Sequence, residues 1–189
     1  VKIRTIELLS ALDMLCLVIL VIMQTLTAMK MAMKNKLLEQ RAYTDAHTGL
    51  PNKSACEALL RDQDMIIEPT ACIMFDLNNL KTVNDTMGHS AGDRLIMNFS
   101  RLLRSVIPDK DFVGRYGGDE FMAVIYHTDK TEIGELLQSL SREKDRLNSN
   151  EDQIPIDYAC GWAHSTDEGT CILQMLLDKA DSYMYENKK

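Results

Sequence analysis

The chain has 189 residues, of which 46% are hydrophobic and 26% charged, with a formal net charge of −7. This is a globular balance, long enough for one ordinary domain and an appendage, and its acidity excludes a protein that grips a nucleic-acid polymer mainly through phosphate attraction. The five cysteines (Cys16, Cys56, Cys72, Cys160, Cys171) are odd in number, widely spread and free of any C-x-x-C pair, which argues against a disulfide framework or a zinc site and for a reducing, cytosolic setting of the globular part.

The chain opens on Val1, which suggests a fragment of something longer, and its first 42 residues form a unit of their own. Met14 to Met23 is apolar without a break, and no charge occurs from Met14 to Met29. Leu8, Leu12, Leu15, Ile19, Ile22, Leu26, Met29 and Met33 also alternate at spacings of four and three, the seam of a coiled coil. A coiled coil in water and a helix in lipid differ at the outer positions. The first needs polar residues there, whereas Cys16, Leu17, Val18, Leu20 and Val21 occupy them, which favours lipid. Against lipid, the uncharged stretch falls slightly short of the roughly 20 residues of a usual span, and Asp13 sits at its edge. The balance favours a transmembrane helix continuing as a signalling helix, with Lys30, Lys34, Lys36 and Arg41 holding the downstream domain in the cytoplasm. No small-residue cleavage site follows the apolar run, so a signal peptide is disfavoured.

Residues 43–189 alternate element types. Asn52 or Ser54 caps a helix through about Met65, and Thr70 to Leu77 (TACIMFDL) reads as a buried strand ending at Asp76. The stretch after Leu77 is rich in turn residues until a helix from Ser90 to Ile107. Phe112 to Tyr116 and Phe121 to Tyr126 are strands joined at Gly117-Gly118, a two-residue turn of the kind glycine allows because both positions can take positive φ. A helix from Thr131 to Leu147, a strand from Ile154 to His164 and an amphipathic helix from Cys171 to Lys188 complete the chain. The economical architecture is α+β, helices packed on a mainly antiparallel sheet.

Carboxylates from two strand ends, Asp76 on one and Asp119 with Glu120 on the other, meeting beside a glycine turn make a hard, oxygen-rich site of the kind Mg²⁺ uses together with substrate phosphates. Between Asp76 and the following helix, Lys81, Asn84, Gly88, His89 and Gly92-Asp93 crowd a short stretch. Backbone amides at a strand end and the Lys81 ammonium suit phosphate oxygens. Asn84 and Asp93 suit guanine, whose N1–H and 2-amino group donate to a carboxylate while O6 accepts from an amide. Taken singly, each has a plain structural alternative: solvated turn residues for Asp119 and Glu120, a helix N-terminal carboxylate for Asp93, a turn residue for Asn84. Their joint spacing carries the functional reading.

Four segments, DAHTGLPNK (45–53), FDLNNLKTVNDTMGHSAGD (75–93), RYGGDEF (115–121) and ADSYMYENK (180–188), together resemble the GGDEF diguanylate cyclases in order and spacing, from about Tyr43 to the C-terminus. The resemblance implies a fold related to nucleotide-cyclase and polymerase-palm domains, GTP as substrate and cyclic di-GMP as product. It implies Asp76, Asp119 and the Leu77 carbonyl as metal ligands with Glu120 a further acidic participant, and Mg²⁺, or Mn²⁺ in its place, as the cofactor. Asn84 and Asp93 become guanine readers with His89 in the same pocket, Lys81 stabilises the transferring phosphoryl group, and the Asn79 and Leu80 amides with Lys188 face the terminal phosphates. Gly117 and Gly118 let the backbone pass under the nucleotide, and Asp119 doubles as a base. One domain holds one GTP in this arrangement, so a homodimer is required; the location implied is the inner, cytoplasmic membrane of a bacterium. The competing reading is a silent GTP-binding sensor or interaction domain, in which the acidic residues are typically altered; here Asp76, Asp119 and Glu120 are present. Two departures stand out. Pro108 replaces the arginine of the family's product-inhibition pair while Asp111 remains, and His47 stands at a usual leucine, where it is expected as a partly buried filler.

Overall fold

The computed structural model describes residues 2–61, 65–150, 153–168 and 171–188. The chain falls into two compact units, Val1–Ala42 and Tyr43–Lys189. The first is occupied by helix α1 (Lys2–Tyr43). Its stretch Met14–Tyr43 is long and apolar enough to cross a membrane, with a mean hydropathy of 2.0 over an 18-residue window, and Leu15, Leu17, Val18, Ile19, Leu20 and Val21 are all exposed. That apolar surface runs all round the helix, as a lipid-facing span requires of its outer heptad positions.

In the second unit, α2 (Lys53–Leu60) precedes β1 (Thr70–Leu77), followed by α3 (Leu80–Met87), α4 (His89–Val106), β2 (Phe112–Arg115), β3 (Glu120–Tyr126), α5 (Lys130–Asn148), β4 (Tyr158–His164), the single turn α6 (Ser165–Glu168) and α7 (Leu173–Asn187). Among the described residues the sheet has four strands in the order β2-β3-β1-β4, with every neighbouring pair antiparallel. This is a mixed fold of helices on an antiparallel sheet.

The central position of β1 explains its composition. All eight of its residues are buried, because helices cover both faces and side chains alternate between them. Ile73, Phe75 and Leu77 point into a core with Leu95, Phe99, Leu102 and Leu103 of α4 and Ile133 and Leu140 of α5. Cys72 and Met74 point the other way, against Cys56 and Leu60 of α2 and Leu176, Leu177, Ala180 and Met184 of α7. Phe99 meets Phe75 and Phe121 edge-on, at centroid distances of 6.1 and 5.0 Å.

Several boundaries differ from the sequence expectation. α2 ends at Leu60 rather than near Met65; Arg61 closes it, and the Ile66 N–H donates instead to the Cys171 carbonyl at 2.9 Å, while positions 62–64 of the expected helix lie outside the described residues. Strand β4 starts at Tyr158 instead of Ile154. Pro155 has no N–H for a ladder, and the Asn148 side chain takes both the N–H and the carbonyl of Ile156, each at 2.8 Å. Helix α5 begins at Lys130 because Asp129 and Glu132 form a reciprocal capping box. His47, expected partly buried, is exposed.

Candidate active site

The C-terminal end of β1 and the start of β3 come together through the ladder. Asp76 faces Glu120 in register, and the Leu77 N–H donates to the Asp119 carbonyl at 2.8 Å. The backbones of Asp76, Leu77, Asp119 and Glu120 therefore adjoin, although the two pairs are distant in the chain.

Asp76 is 9% exposed. No hydrogen bond of good geometry reaches its buried Oδ1, but the Lys188 ammonium at the end of α7 stands 2.7 Å from it as an ion pair. A desolvated carboxylate oxygen needs a positive partner, and Lys188 supplies it here. Glu120 adds to the acidity of this end. Burial pushes its carboxyl pKa above the ordinary glutamate value, and the neighbouring charges of Asp119, Asp181 and Asp76 push it further, with Lys53 opposing. Among the described residues no three His, Cys, Asp or Glu side chains gather tightly enough to hold a metal alone. Asp76, Asp119 and Glu120 could therefore hold a cation only together with water or ligand oxygens, the kind of shell that Mg²⁺ accepts.

The connection between β2 and β3 is wider than expected. It spans Tyr116 to Asp119, and both the Tyr116 and the Gly117 N–H donate to the Glu120 carbonyl, at 2.8 and 3.1 Å. Two residues thus oppose one, as in a bulge, and neither Gly117 nor Gly118 takes positive φ, so the expected two-residue turn with two left-handed glycines is corrected. What the glycines supply is space. A Cβ on Gly117 would lie 2.5 Å from Glu120 Oε2, while one on Gly118 would meet nothing within 4 Å.

Arg115 fixes this loop, a role its sequence context does not announce. Its Nη2 donates to the Gly118 carbonyl at 2.7 Å, and Nη1 reaches both oxygens of Asp45 at 3.2 and 3.1 Å. Asp45 in turn accepts from the Thr48 N–H and hydroxyl at 2.8 and 2.7 Å. Burial tends to raise the Asp45 pKa, but the Thr48 hydrogen bonds and the Arg115 charge together hold it below the ordinary aspartate value.

The second part of the site is the helical corner after β1. Asn79 occupies the N-cap of α3 at φ 61°, and its side chain makes no capping bond. The amides at the N-terminus of such a helix have no intrahelical acceptor, which leaves those of Asn79 and Leu80 suited to an anion. Lys81 and His89 are exposed, and Asn84 and Asp93 half-buried. Gly88, at φ 83°, ends α3 and starts α4, a left-handed joint that glycine adopts without strain.

Asp181 is a further acidic neighbour, carried by the ADSYMYENK segment, to which the sequence pattern gives no role. Asp111, which the family resemblance assigns to a product-inhibition pair, accepts from the Tyr126 N–H through Oδ1 at 3.0 Å, and its Oδ2 is buried with no hydrogen bond. Its carboxylate is drawn into the sheet rather than turned outward.

Residues 42–189 match the family model described as "Diguanylate cyclase, GGDEF domain". Among curated proteins, the chain is 31% identical over 161 residues to the signaling protein YkoW of Bacillus subtilis, covering 82% of this chain and 20% of that protein. It is 30% identical over 156 residues to a diguanylate cyclase of Vibrio cholerae, covering 80% of this chain and 48% of that one. The chain thus spans less than half the length of either relative. Among solved structures, the coiled coil and GGDEF domain of DgcB from Caulobacter crescentus, in complex with c-di-GMP, superposes with a TM-score of 0.71 at 21% identity, covering 87% of this chain and 90% of that one; at that identity the likeness concerns the fold.

Proposed function

The chain belongs to the GGDEF family, and from that premise we propose that residues 43–189 are a diguanylate cyclase domain that joins two GTP into cyclic di-GMP with release of two pyrophosphates. The observation that carries this reading is the junction of Asp76 and Leu77 with Asp119 and Glu120, beside an uncapped helix N-terminus. Asp76, Asp119, Glu120 and the Leu77 carbonyl are the groups that would hold Mg²⁺, or Mn²⁺ in its place. The bound cation supplies neutralisation of phosphate charge and polarisation of the attacked phosphorus.

The remaining roles fall to the chain itself. The amides at Asn79 and Leu80 and the ammonium of Lys188 hold the terminal phosphates, and Lys81 balances charge on the transferring group. Asn84 and Asp93 select guanine, since adenine has neither the N1–H nor the 2-amino group that a carboxylate accepts, and His89 lies at the edge of the same pocket. Gly117 and Gly118 leave room for the nucleotide beneath the hairpin, and Asp119 takes the proton of the attacking 3′-hydroxyl. Each domain holds one GTP, so the in-line attack is completed between two copies, and α1 is the element that brings them together. Its apolar surface and the cations at 30, 34, 36 and 41 support anchorage in the inner membrane of a bacterium with the catalytic domain in the cytoplasm.

The test is to incubate the purified chain with GTP and Mg²⁺ and resolve the nucleotides by chromatography. Cyclic di-GMP and pyrophosphate are expected in a one-to-two ratio. GTP binding without any dinucleotide, even when the chain is dimerised, would replace this reading with that of a GTP sensor.

A further inference from the structure

The corner between α3 and α4 holds a contact that bears on base selection. The Gly88 N–H donates to the Asn84 carbonyl at 3.0 Å, and the Ala91 N–H returns to the Gly88 carbonyl at 2.9 Å. This folds the first turn of α4 onto the last turn of α3 and brings buried Gly92 under the Asn84 side chain. A Cβ built on Gly92 would lie 2.1 Å from Asn84 Oδ1, 2.9 Å from Cγ and 3.2 Å from Nδ2. The whole carboxamide therefore rests on the bare Cα of residue 92. Among the described residues that carboxamide makes no hydrogen bond to the protein, so packing against Gly92 is what orients it. Asp93, the other half of the base-reading pair, is the next residue in the chain.

We propose that Gly92 is the positioning residue for base recognition: lacking a side chain, it forms the seat that holds the Asn84 carboxamide in line with the Asp93 carboxylate. This rests on the reading of Asn84 and Asp93 as guanine readers. The atoms a methyl at 92 would strike belong to the end of a side chain that can rotate away, so the fold yields easily and the recognition geometry does not survive. Alanine is also the better helix former, which turns the expected effects on stability and binding in opposite directions.

The experiment is a double-mutant cycle read by GTP titration calorimetry, with melting temperatures measured alongside. Gly92→Ala is expected to weaken GTP binding about tenfold, the scale of one misplaced hydrogen-bonding group, and to narrow the preference for GTP over ATP while melting at or above the wild-type temperature. In an Asn84→Ala background the same Gly92→Ala change is expected to cost nothing further, because the group it displaces is gone. Equal losses in both backgrounds, wild-type GTP affinity in Gly92→Ala, or a lowered melting temperature would overturn the proposal. A wild-type chain that binds no GTP would instead overturn the functional reading on which it stands.

Discussion

Two glycines should respond to substitution differently in stability, for reasons fixed by what surrounds them. Gly161 lies in β4 opposite Met74, directly beneath α7. A Cβ there would stand 2.1 Å from the Met184 nitrogen, 2.3 Å from the Ala180 oxygen and 2.7 Å from the Tyr183 carbonyl carbon. All three are backbone atoms, and ordinary contact needs roughly 3.5 Å, so Gly161→Ala forces the helix away by on the order of 1 Å. Overpacking of this kind costs about 1–3 kcal/mol, which for a domain of this size lowers Tm by about 3–10 °C. Because α7 ends next to Lys188, whose ammonium is 2.7 Å from Asp76 Oδ1, turnover should fall as well. Gly118 is the contrast: its Cβ would meet nothing within 4 Å, and its φ is not left-handed. Gly118→Val should melt within about 0.5 kcal/mol of wild type yet lose turnover, since on the proposed reading the added bulk would lie where the nucleotide passes. Thermal melting by circular dichroism and the chromatographic cyclase assay read both effects. Wild-type melting in Gly161→Ala, or near-normal turnover in Gly118→Val, would refute the reasoning.

Three further changes test other contacts. Asp111→Ala removes the acceptor of the Tyr126 N–H and should destabilise by about 1–2 kcal/mol in denaturant unfolding; because Pro108 supplies no guanidinium, inhibition by cyclic di-GMP should be unchanged, and loss of tight inhibition in this variant would contradict that. Glu120→Gln addresses a carboxyl whose folded pKa is raised by burial and by Asp119, Asp181 and Asp76. A raised carboxyl stabilises the fold below its ordinary value near 4.5 and loses that contribution as pH climbs through the folded value. The variant should therefore melt higher than wild type at pH 7 in EDTA, with the gain shrinking towards pH 4 and on adding Mg²⁺; an equal gain at both pH values would exclude the charge explanation. Arg115→Lys keeps the charge but not the fork that spans Asp45 and the Gly118 carbonyl, so kcat should fall about tenfold with a smaller change in KM for GTP, and unchanged kinetics would remove Arg115 from the positioning residues.

Where the sequence pattern and the structure agree, local signals point the same way as the tertiary environment. TACIMFDL is a strand in both, with both of its faces covered. Helix α3 escapes the sequence pattern because LKTVNDTM is poor in helix formers and rich in turn residues; it forms because Asn79 turns the chain in the left-handed region and Leu80 and Val83 pack on the core. At the hairpin, a pair of glycines suggests positive φ, whereas the extra residue opposite Glu120 relieves that need. The Asp45–Arg115 pair spans 70 positions, and nothing local to either residue announces the other, although each lies inside one of the four family segments. Gly92 is similar: its segment is visible, but that its missing side chain seats Asn84 is a fact of two helices meeting.

The acidic end of the sheet is the hardest feature to account for without catalysis. Asp76 is desolvated, and Asp119, Asp181 and Asp76 all repel Glu120, with Lys53 opposing them there and Lys188 paired to Asp76. Like charges gathered at a partly buried strand end lower stability, and a chain needing only to dimerise through α1 would lose nothing by neutralising them. The cost falls instead on the residues that adjoin the uncapped helix and the glycine loop. Strain kept where a cation and a triphosphate would relieve it suits a preorganised phosphoryl-transfer site, whereas a domain that only dimerises would have no step in which to release it.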